Sequence, residues 1–502
     1  MLVVCQPISA IQEYERNFSF RHYNIAPIND MDTQQAQQFV FHKLRIIGKA
    51  VGRVNGNNTH SGNFSMRDPL DSDLFHITAS GSQCGDLIEQ DIVPIRFSGV
   101  SWGDARGSSE STIHRSVLSL PGVRSVIHSH HLNTIYVSFD SRENPLFLDY
   151  LGLDDQGREE FLFHPVDLSG SFIVGGVKVG SFLQPVGSLE MEERIPAYLK
   201  DNQLTIVRGH GPFARGSSPE DALYRLDMLE SSAALLLHLR RRGVDVIALQ
   251  QKIRENASAF FGCSPQITNF EQLAVHEVND ASIVEDFRQR LNYNYNTAIA
   301  AFGTGSMSQK ISSEEMIYCP MSSVPEEMDF PLLRKPIAFC DTDTTDERLH
   351  KLIYRHTHQN TCMITGNPLA TAEGMAVLAE TCGEQVLFES EPSISYTADH
   401  HPVVLPIDAE AIYLNPKVGL VHFRELNDLT AENPILNMLR WYKGCCIVAG
   451  YGVISTGETT LEQAAHNASS AERIAQFRAS VYINHHLIDG PPLQDLEPTY
   501  KA

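Results

Sequence analysis

Apolar residues recur at helical spacing between Asp32 and Arg53, where Phe39, Leu44, Ile47 and Val51 fall on one face and Asp32 stands ready to cap the first turn. A second helix is predicted from Pro219, with Leu223, Leu226, Leu229, Ala233 and Leu236 on one stripe. It should end at Arg240-Arg-Arg-Gly243, because arginines in the last turn suit the helix dipole and glycine suits the residue beyond it. Between these helices the apolar runs are short and rich in β-branched residues. Val123–His130 follows a Pro121-Gly122 turn, and Leu204–Val207 reads as a buried strand. Long helices mixed with short strands predict an α/β protein.

The chain also repeats itself. Ile206-Val-Arg-Gly-His-Gly-Pro-Phe-Ala-Arg-Gly216 is echoed by Ile447-Val-Ala-Gly-Tyr-Gly-Val-Ile-Ser-Thr-Gly457, at an offset of 447 − 206 = 241. Each copy runs into a capping box, Ser218-Pro-Glu-Asp221 and Thr459-Thr-Leu-Glu462, in which a hydroxyl at the N-cap faces a carboxylate three residues on. Upstream, Gly62-Asn-Phe-Ser-Met66 faces Gly303-Thr-Gly-Ser-Met307, and Ile77 faces Ile317. Ser108-Ser-Glu110 with His114 faces Thr344-Thr-Asp346 with His350, and Asn133-Thr134 fall opposite Leu369-Ala370. Four blocks in one order predict a tandem duplication: an N-terminal arm (1–32), a first repeat (33–248), a helical connector (249–274) and a second repeat (275–502). The block from Asp140 to Phe172 is long and polar, and reads as an inserted flap.

Composition narrows the partners. The 502 residues carry 39 Lys plus Arg against 61 Asp plus Glu, a net charge of −22, which repels phosphate backbones and anionic lipid. Nucleic acid and membranes are therefore excluded as expected partners, whereas a small anionic substrate can still be held locally. No apolar run approaches the ~18–20 residues that span a bilayer. Met1-Leu-Val-Val-Cys-Gln-Pro has no basic stretch and does not read as a signal peptide. Nine cysteines without a Cys-x-x-Cys pair fit reduced thiols in a cytoplasmic protein, with Cys445-Cys446 in the core.

The chemistry-bearing residues cluster in the first repeat. On a strand, His128 and His130 would share one face about 7 Å apart, while Ser129 and His131 point the other way. Two imidazoles are a weak signal alone; His210, freed by Gly209 and Gly211, supplies a third. Three neutral imidazoles with one open position suit Zn²⁺ or a similar divalent ion. The competing reading makes His210 a turn cap and His128 a core histidine. Glu110 opens a helix through Thr112, His114, Val117 and Leu118, either as a desolvated acid/base or as an ordinary first-turn acid. Gly62, Asn63, Ser80, Gly81, Ser108 and Ser109 lie in tight loops whose hydroxyls and N–H groups can hold an anion, though the same residues are common turn chemistry.

Taken in order, Gly62-Asn-Phe-Ser-Met-Arg67, Ile77-Thr-Ala-Ser-Gly81, Ser108-Ser-Glu110, His128-Ser-His130 and Gly209-His-Gly211 resemble the class II aldolase/adducin family over about Asp32 to Arg242. The resemblance implies two tandem three-layer α/β/α domains, each around a central, mainly antiparallel sheet. It implies a metal on His128, His130 and His210, and Glu110 as catalytic acid/base. It also puts Gly62, Asn63, Ser80, Gly81, Ser108 and Ser109 where phosphorylated substrates of the family are held. Two departures, Gly209 where the family usually has Asn and His131-Leu132 in place of small residues or Pro, leave the substrate open.

The implied activity is a metal-dependent carbon–carbon lyase, performing aldol cleavage or condensation of a small, sugar-like hydroxy-carbonyl through a metal-stabilised enediolate. Decarboxylation, epimerisation and dehydration use the same logic, and a non-catalytic adducin-like interaction protein is the alternative from another class. In the second repeat Ile364, Gly366 and Tyr451 stand opposite the three histidines and Asp346 opposite Glu110, so that copy is expected to be degenerate. One divalent ion per chain is expected, Zn²⁺ first, then Mn²⁺, Fe²⁺ or Co²⁺. His356-x-His358 lies outside the aligned ligand positions. Family rings of four subunits imply that two such chains would form a homodimer, or a higher homo-oligomer, imitating four domains.

Overall fold

The computed structural model describes residues 31–53, 60–99, 106–389 and 392–488; most of the arm 1–32 lies outside them. Fourteen α-helices and seventeen strands follow in chain order among these residues. The first repeat holds α1 (Thr33–Arg53), β1 (Asn63–Arg67), β2 (Leu74–Thr78), β3 (Ile92–Arg96), α2 (Ser111–Leu118), β4 (Ser125–His128), α3 (Leu132–Ser138), β5 (Asp149–Leu153) and β6 (Glu159–Phe163). It continues through α4 (Leu168–Ile173), β7 (Val177–Gly180), α5 (Leu189–Asp201), β8 (Leu204–Val207), β9 (Gly211–Gly216) and α6 (Pro219–Arg241). Helices α7 (Val246–Glu255) and α8 (Ala257–Phe261) lead to α9 (Ala281–Asn296), β10 (Ser306–Lys310), β11 (Glu315–Cys319), β12 (Leu333–Pro336), α10 (Thr345–His356) and β13 (Thr361–Thr365). The chain then runs through α11 (Pro368–Cys382), β14 (Val403–Val404), α12 (Ala409–Leu414), β15 (Val418–His422), α13 (Pro434–Trp441), β16 (Cys445–Ala449), β17 (Gly452–Gly457) and α14 (Leu461–Ile488).

Two sheets carry the duplication. The first runs β3-β2-β1-β4-β9-β8-β7-β6-β5 and the second β12-β11-β10-β13-β17-β16-β15-β14, the same path with one edge strand fewer. In each, every pairing is antiparallel except one, β7 with β8 and β15 with β16. One face of the first sheet is sealed by α2 and α5 through Ile113, Val117, Met191, Ile195 and Leu199. The opposite face packs on α1 and α6, and that layer merges with the core of the second repeat. Helix, sheet and helix thus form three layers, as implied.

Local predictions hold at several ends. Asp32 and Gln35 cap α1 reciprocally, both bonds 2.9 Å long. Ser218 caps α6 by accepting from the Asp221 N–H, and Gly243 takes the left-handed conformation (φ 84°) beyond its end. Cys445 and Cys446 are buried. Among the described residues no helix is long and apolar enough to cross a membrane.

Other expectations need correction. Helix α6 is buried nearly all round rather than along one stripe, because α11 of the second repeat lies against its outer side: His238 Nε2 meets Glu373 Oε2 at 2.8 Å and Arg242 donates to Glu380 at 2.6 Å. The capping box of α14 is one residue later than expected. Thr460 is its hydroxyl residue and Gln463 reaches back to the Thr459 and Thr460 N–H groups. The block Asp140–Phe172 is no flap, since it contributes the edge strand β5 and its neighbour β6 to the sheet. Its loop is organised by the buried Asp140 carboxylate, which accepts from the N–H groups of Leu146, Phe147 and Leu148.

The repeat alignment also shifts at one strand. Asn63 pairs with His128 while Ser306 pairs with Ile364, so Asn63 corresponds to Ser306 (306 − 63 = 243) and not to Thr304. The chance identity of two Gly…Ser-Met strings concealed a slip of two residues, which leaves each side chain on the same sheet face. Gly62 (φ 77°) then corresponds to Gly305 (φ 70°), both left-handed. By the same registers Ile77 corresponds to Tyr318, one residue from Ile317.

Candidate metal centre

His128, His130 and His210 meet at one end of the first sheet, their ligand nitrogens within 4.8 Å of one another. Among the described residues this is the one group of three such donors. His128 ends β4, and His130 lies beyond the strand in the turn into α3. Strand alternation therefore does not bring the two rings together; the turn does, setting their Nε2 atoms 3.1 Å apart. His210 stands on the turn between β8 and β9, with its Nε2 3.3 Å from that of His128. Glycine is needed beside it, because a Cβ on Gly211 (φ 155°) would lie 2.2 Å from the Ser129 carbonyl.

The surroundings fix the first ring. His128 Nδ1 donates to the Pro212 carbonyl at 2.9 Å, since a carbonyl only accepts, which leaves the Nε2 lone pair facing the other two imidazoles. The ring stacks on Phe213 at 4.1 Å and 12°. Burial, then the neighbouring imidazoles, holds His210 down at about 3 and His128 well below its ordinary value, and burial lowers His130. All three are thus neutral donors at neutral pH, the state a divalent cation requires. Ser129 and His131, both beyond the strand, bond each other at 2.5 Å and are not among the three clustered donors.

Glu110 is brought to the same place. It is the residue before α2, buried, with Oε2 3.6 Å from His128 Nε2. Its side chain caps nothing, so the ordinary first-turn reading fails. Asn63 donates its amide to the same Oε2 at 2.8 Å. The other oxygen, Oε1, is buried without a hydrogen-bond partner. A buried acceptor left unmade is costly, and here it belongs to the carboxylate whose other oxygen lies 3.6 Å from His128 Nε2.

Of the proposed anion loops, Asn63 and Ser108 are buried, Gly62 is half-buried, and Ser80, Gly81 and Ser109 are exposed. The Ser80 and Ser108 N–H groups donate to the Arg106 and Thr78 carbonyls, so in this segment the exposed Ser80 and Ser109 side chains face solvent. Sequence reading missed the pairing of Asn63 with Glu110, the Pro212 carbonyl and the Phe213 stack. Only the repeat held a signal: Ser65 Oγ lies 2.7 Å from His114 Nδ1, and Ser308 Oγ lies 2.6 Å from His350 Nδ1.

The equivalent pocket of the second repeat is closed. Ile364, Gly366 and Tyr451 take the ligand positions, and Asp346 takes that of Glu110. Both oxygens of Asp346 are satisfied, one by Tyr451 at 2.6 Å and one by Ser306 at 2.7 Å.

Fold and cluster together define a mixed α/β protein with a three-imidazole, one-carboxylate site in its first half. The profile of the Class II Aldolase and Adducin N-terminal domain matches residues 43–237. Methylthioribulose-1-phosphate dehydratase of Yersinia pestis (strain Pestoides F) is 30% identical over 193 residues, 37% of this chain and 79% of the relative. The dehydratase of the same name from Microcystis aeruginosa is 28% identical, over 34% of this chain and 81% of the relative. Among solved structures, L-fuculose-1-phosphate aldolase from Thermus thermophilus is 25% identical, with 40% of this chain and 94% of that one covered and a TM-score of 0.34. The chain belongs to the class II aldolase/adducin family.

Proposed function

We propose that the first repeat is a metal-dependent lyase acting on a small hydroxy-carbonyl substrate with an anionic end, and that Glu110 is its proton-transferring group. The observation that carries this reading is the buried Glu110 carboxylate, 3.6 Å from His128 Nε2 and with one oxygen unpaired. His128, His130 and His210 would hold one divalent cation, Zn²⁺ in the first instance and Mn²⁺, Fe²⁺ or Co²⁺ as alternatives. When bound, such an ion supplies Lewis-acid stabilisation of negative charge developing on the substrate oxygens. The Asn63 amide fixes the orientation of Glu110. Glu110 takes a proton from the substrate through its free oxygen and later returns it. We assign the anionic group of the substrate to Gly62, Asn63, Ser80, Gly81, Ser108 and Ser109, the positions at which the family resemblance places it.

In aldol cleavage the base removes the hydroxyl proton beyond the scissile carbon–carbon bond. That bond's electrons move toward the carbonyl oxygen, and the acid returns the proton to carbon. A second reading, dehydration, is favoured by the names of the curated relatives. There the proton leaves the carbon beside the carbonyl and a hydroxyl departs from the next carbon as water. Methylthioribulose 1-phosphate and fuculose 1-phosphate, offered to the zinc-loaded protein, separate the two by product: loss of water against two carbon fragments. Consumption of neither, with no solvent-hydrogen exchange beside the carbonyl, would overturn the lyase reading and favour a non-catalytic interaction protein.

We read the remaining chain as an arm (1–32), a connector (249–274) and a degenerate second repeat (275–502) that binds no ion. The protein is placed in the cytoplasm, without nucleic-acid or membrane partners, as a homodimer or higher homo-oligomer.

A further inference from the structure

The second repeat has an open groove at the end of its sheet opposite the closed pocket. It measures about 970 Å³ and lies between the end of α10, the turn from α13 into β16, the end of β17 and the first turns of α14. That is the size of a small-molecule site, and most of the residues lining it are polar.

The groove exists because the two repeats diverge at one pair of strands. Leu204 pairs with Ala214 and Cys445 with Ser455, so Arg215 corresponds to Thr456 (456 − 215 = 241) and Gln203 to Gly444 (444 − 203 = 241). The backbone is the same in both: the Arg215 N–H donates to the Gln203 carbonyl at 2.9 Å, and the Thr456 N–H to the Gly444 carbonyl at 2.8 Å. In the first repeat the Arg215 guanidinium fills this place and donates to the carbonyls of Leu199, Lys200 and Asn202 at the end of α5. In the second, Thr456 and Gly444 are too short to do so. The Lys443 carbonyl, counterpart of that of Asn202, is served instead by the Asn467 amide of α14 at 3.0 Å, so that carbonyl stays satisfied beside the opening.

The side chains around the opening point to a ligand. Arg440 and Lys443 have no carboxylate partner among the described residues. Arg440 donates to the His356 carbonyl at 2.7 Å, and Lys443 to the Leu414 carbonyl at 2.8 Å. Two such cations in one groove of a chain with net charge −22 attract an anion. Strand β17 and helix α14 add Glu458 and Glu462 to the lining. Carboxylates repel a bare anion and accept from hydroxyls, so the groove suits a molecule that carries both. His356 and His358, which stood outside the aligned ligand positions, line the same groove. Among the described residues they belong to no group of three clustered metal donors, so the groove is not read as a metal site.

We propose that this groove binds a small polyhydroxylated phosphate ester, with Arg440 and Lys443 on its phosphate and Glu458 and Glu462 on its hydroxyls. The inference does not rest on the lyase reading, because it uses no residue of the first repeat's pocket.

Calorimetric titration of the full-length, zinc-loaded protein with ribose 5-phosphate tests it, with ribose and inorganic phosphate as comparison probes. Wild type is expected to bind the ester with a Kd of about 1 mM or tighter, and each comparison probe at least about tenfold more weakly. Arg440→Gln, at an exposed position, should weaken this binding by about tenfold or more. Thr456→Arg restores the side chain that fills the first repeat and should remove one binding event per chain, with zinc content unchanged. Ester held at the first repeat's pocket would survive both substitutions and be lost in Asn63→Ala, so the two readings fail separately. No binding by wild type, or binding indifferent to both Arg440→Gln and Thr456→Arg, would overturn the inference. Ribose or inorganic phosphate bound as tightly as the ester would overturn it as well.

Discussion

The two pockets of this chain are built on the same strands and differ in how their carboxylate is used. In the second repeat Asp346 is bonded through both oxygens, to Tyr451 and Ser306, and the site is full. In the first, Glu110 is held by Asn63 through one oxygen and keeps the other free beside three neutral imidazoles. A fold of this size can satisfy such a group, as the second repeat demonstrates. Leaving it unsatisfied is a cost borne at one position, and under the proposed function the difference separates a site kept for chemistry from one kept for architecture.

The strongest way to sharpen that contrast is Glu110→Gln, which preserves shape and the ligand nitrogens. Turnover should fall by about 10²–10⁴-fold with metal content unchanged, whereas Asp346→Asn should leave turnover intact. Next comes a matched pair of glycines. A Cβ on Gly211 would meet the Ser129 carbonyl, and one on Gly452 the Thr365 carbonyl, each at 2.2 Å. Gly211→Ala and Gly452→Ala should each destabilise the protein by about 3 kcal/mol in denaturant unfolding, and only the first should also weaken metal retention.

Much of this was legible beforehand. The glycines flanking His210 recur around Tyr451, so the repeat showed where in the second copy the equivalent pocket would lie. What the sequence hid was set by tertiary packing. His130 meets His128 through a turn and not along a strand. Asn63 finds Glu110 because β1 pairs with β4 in one particular register, and a repeated Gly…Ser-Met string had misaligned this strand with its counterpart in the second repeat by two residues. Helix α6 shows no polar face because another repeat, remote in sequence, covers it.

Smaller effects test the closed pocket. Tyr451→Phe removes one bond to Asp346 and should cost about 1–2 kcal/mol, with activity unchanged. His350, buried behind that pocket, is held at about 3 by desolvation against an ordinary 6.5, and His114 in the first repeat at about 4. The unfolded chain protonates these imidazoles first as pH falls below 6.5, so their contribution is intact above that value and is lost as pH drops toward 4. Thermal unfolding of metal-free protein should therefore shift downward between about pH 7 and about pH 5, and less steeply in His350→Asn. A flat profile over that window would remove the buried neutral histidines from the account.

One half of the chain is proposed to hold a cation and the other half, on the same scaffold, to hold none. Elemental analysis of purified wild type beside His128→Ala and His210→Ala tests it directly. About one divalent ion per chain is expected in wild type and none in either variant; two ions per wild-type chain, or one that survives both substitutions, would overturn this reading.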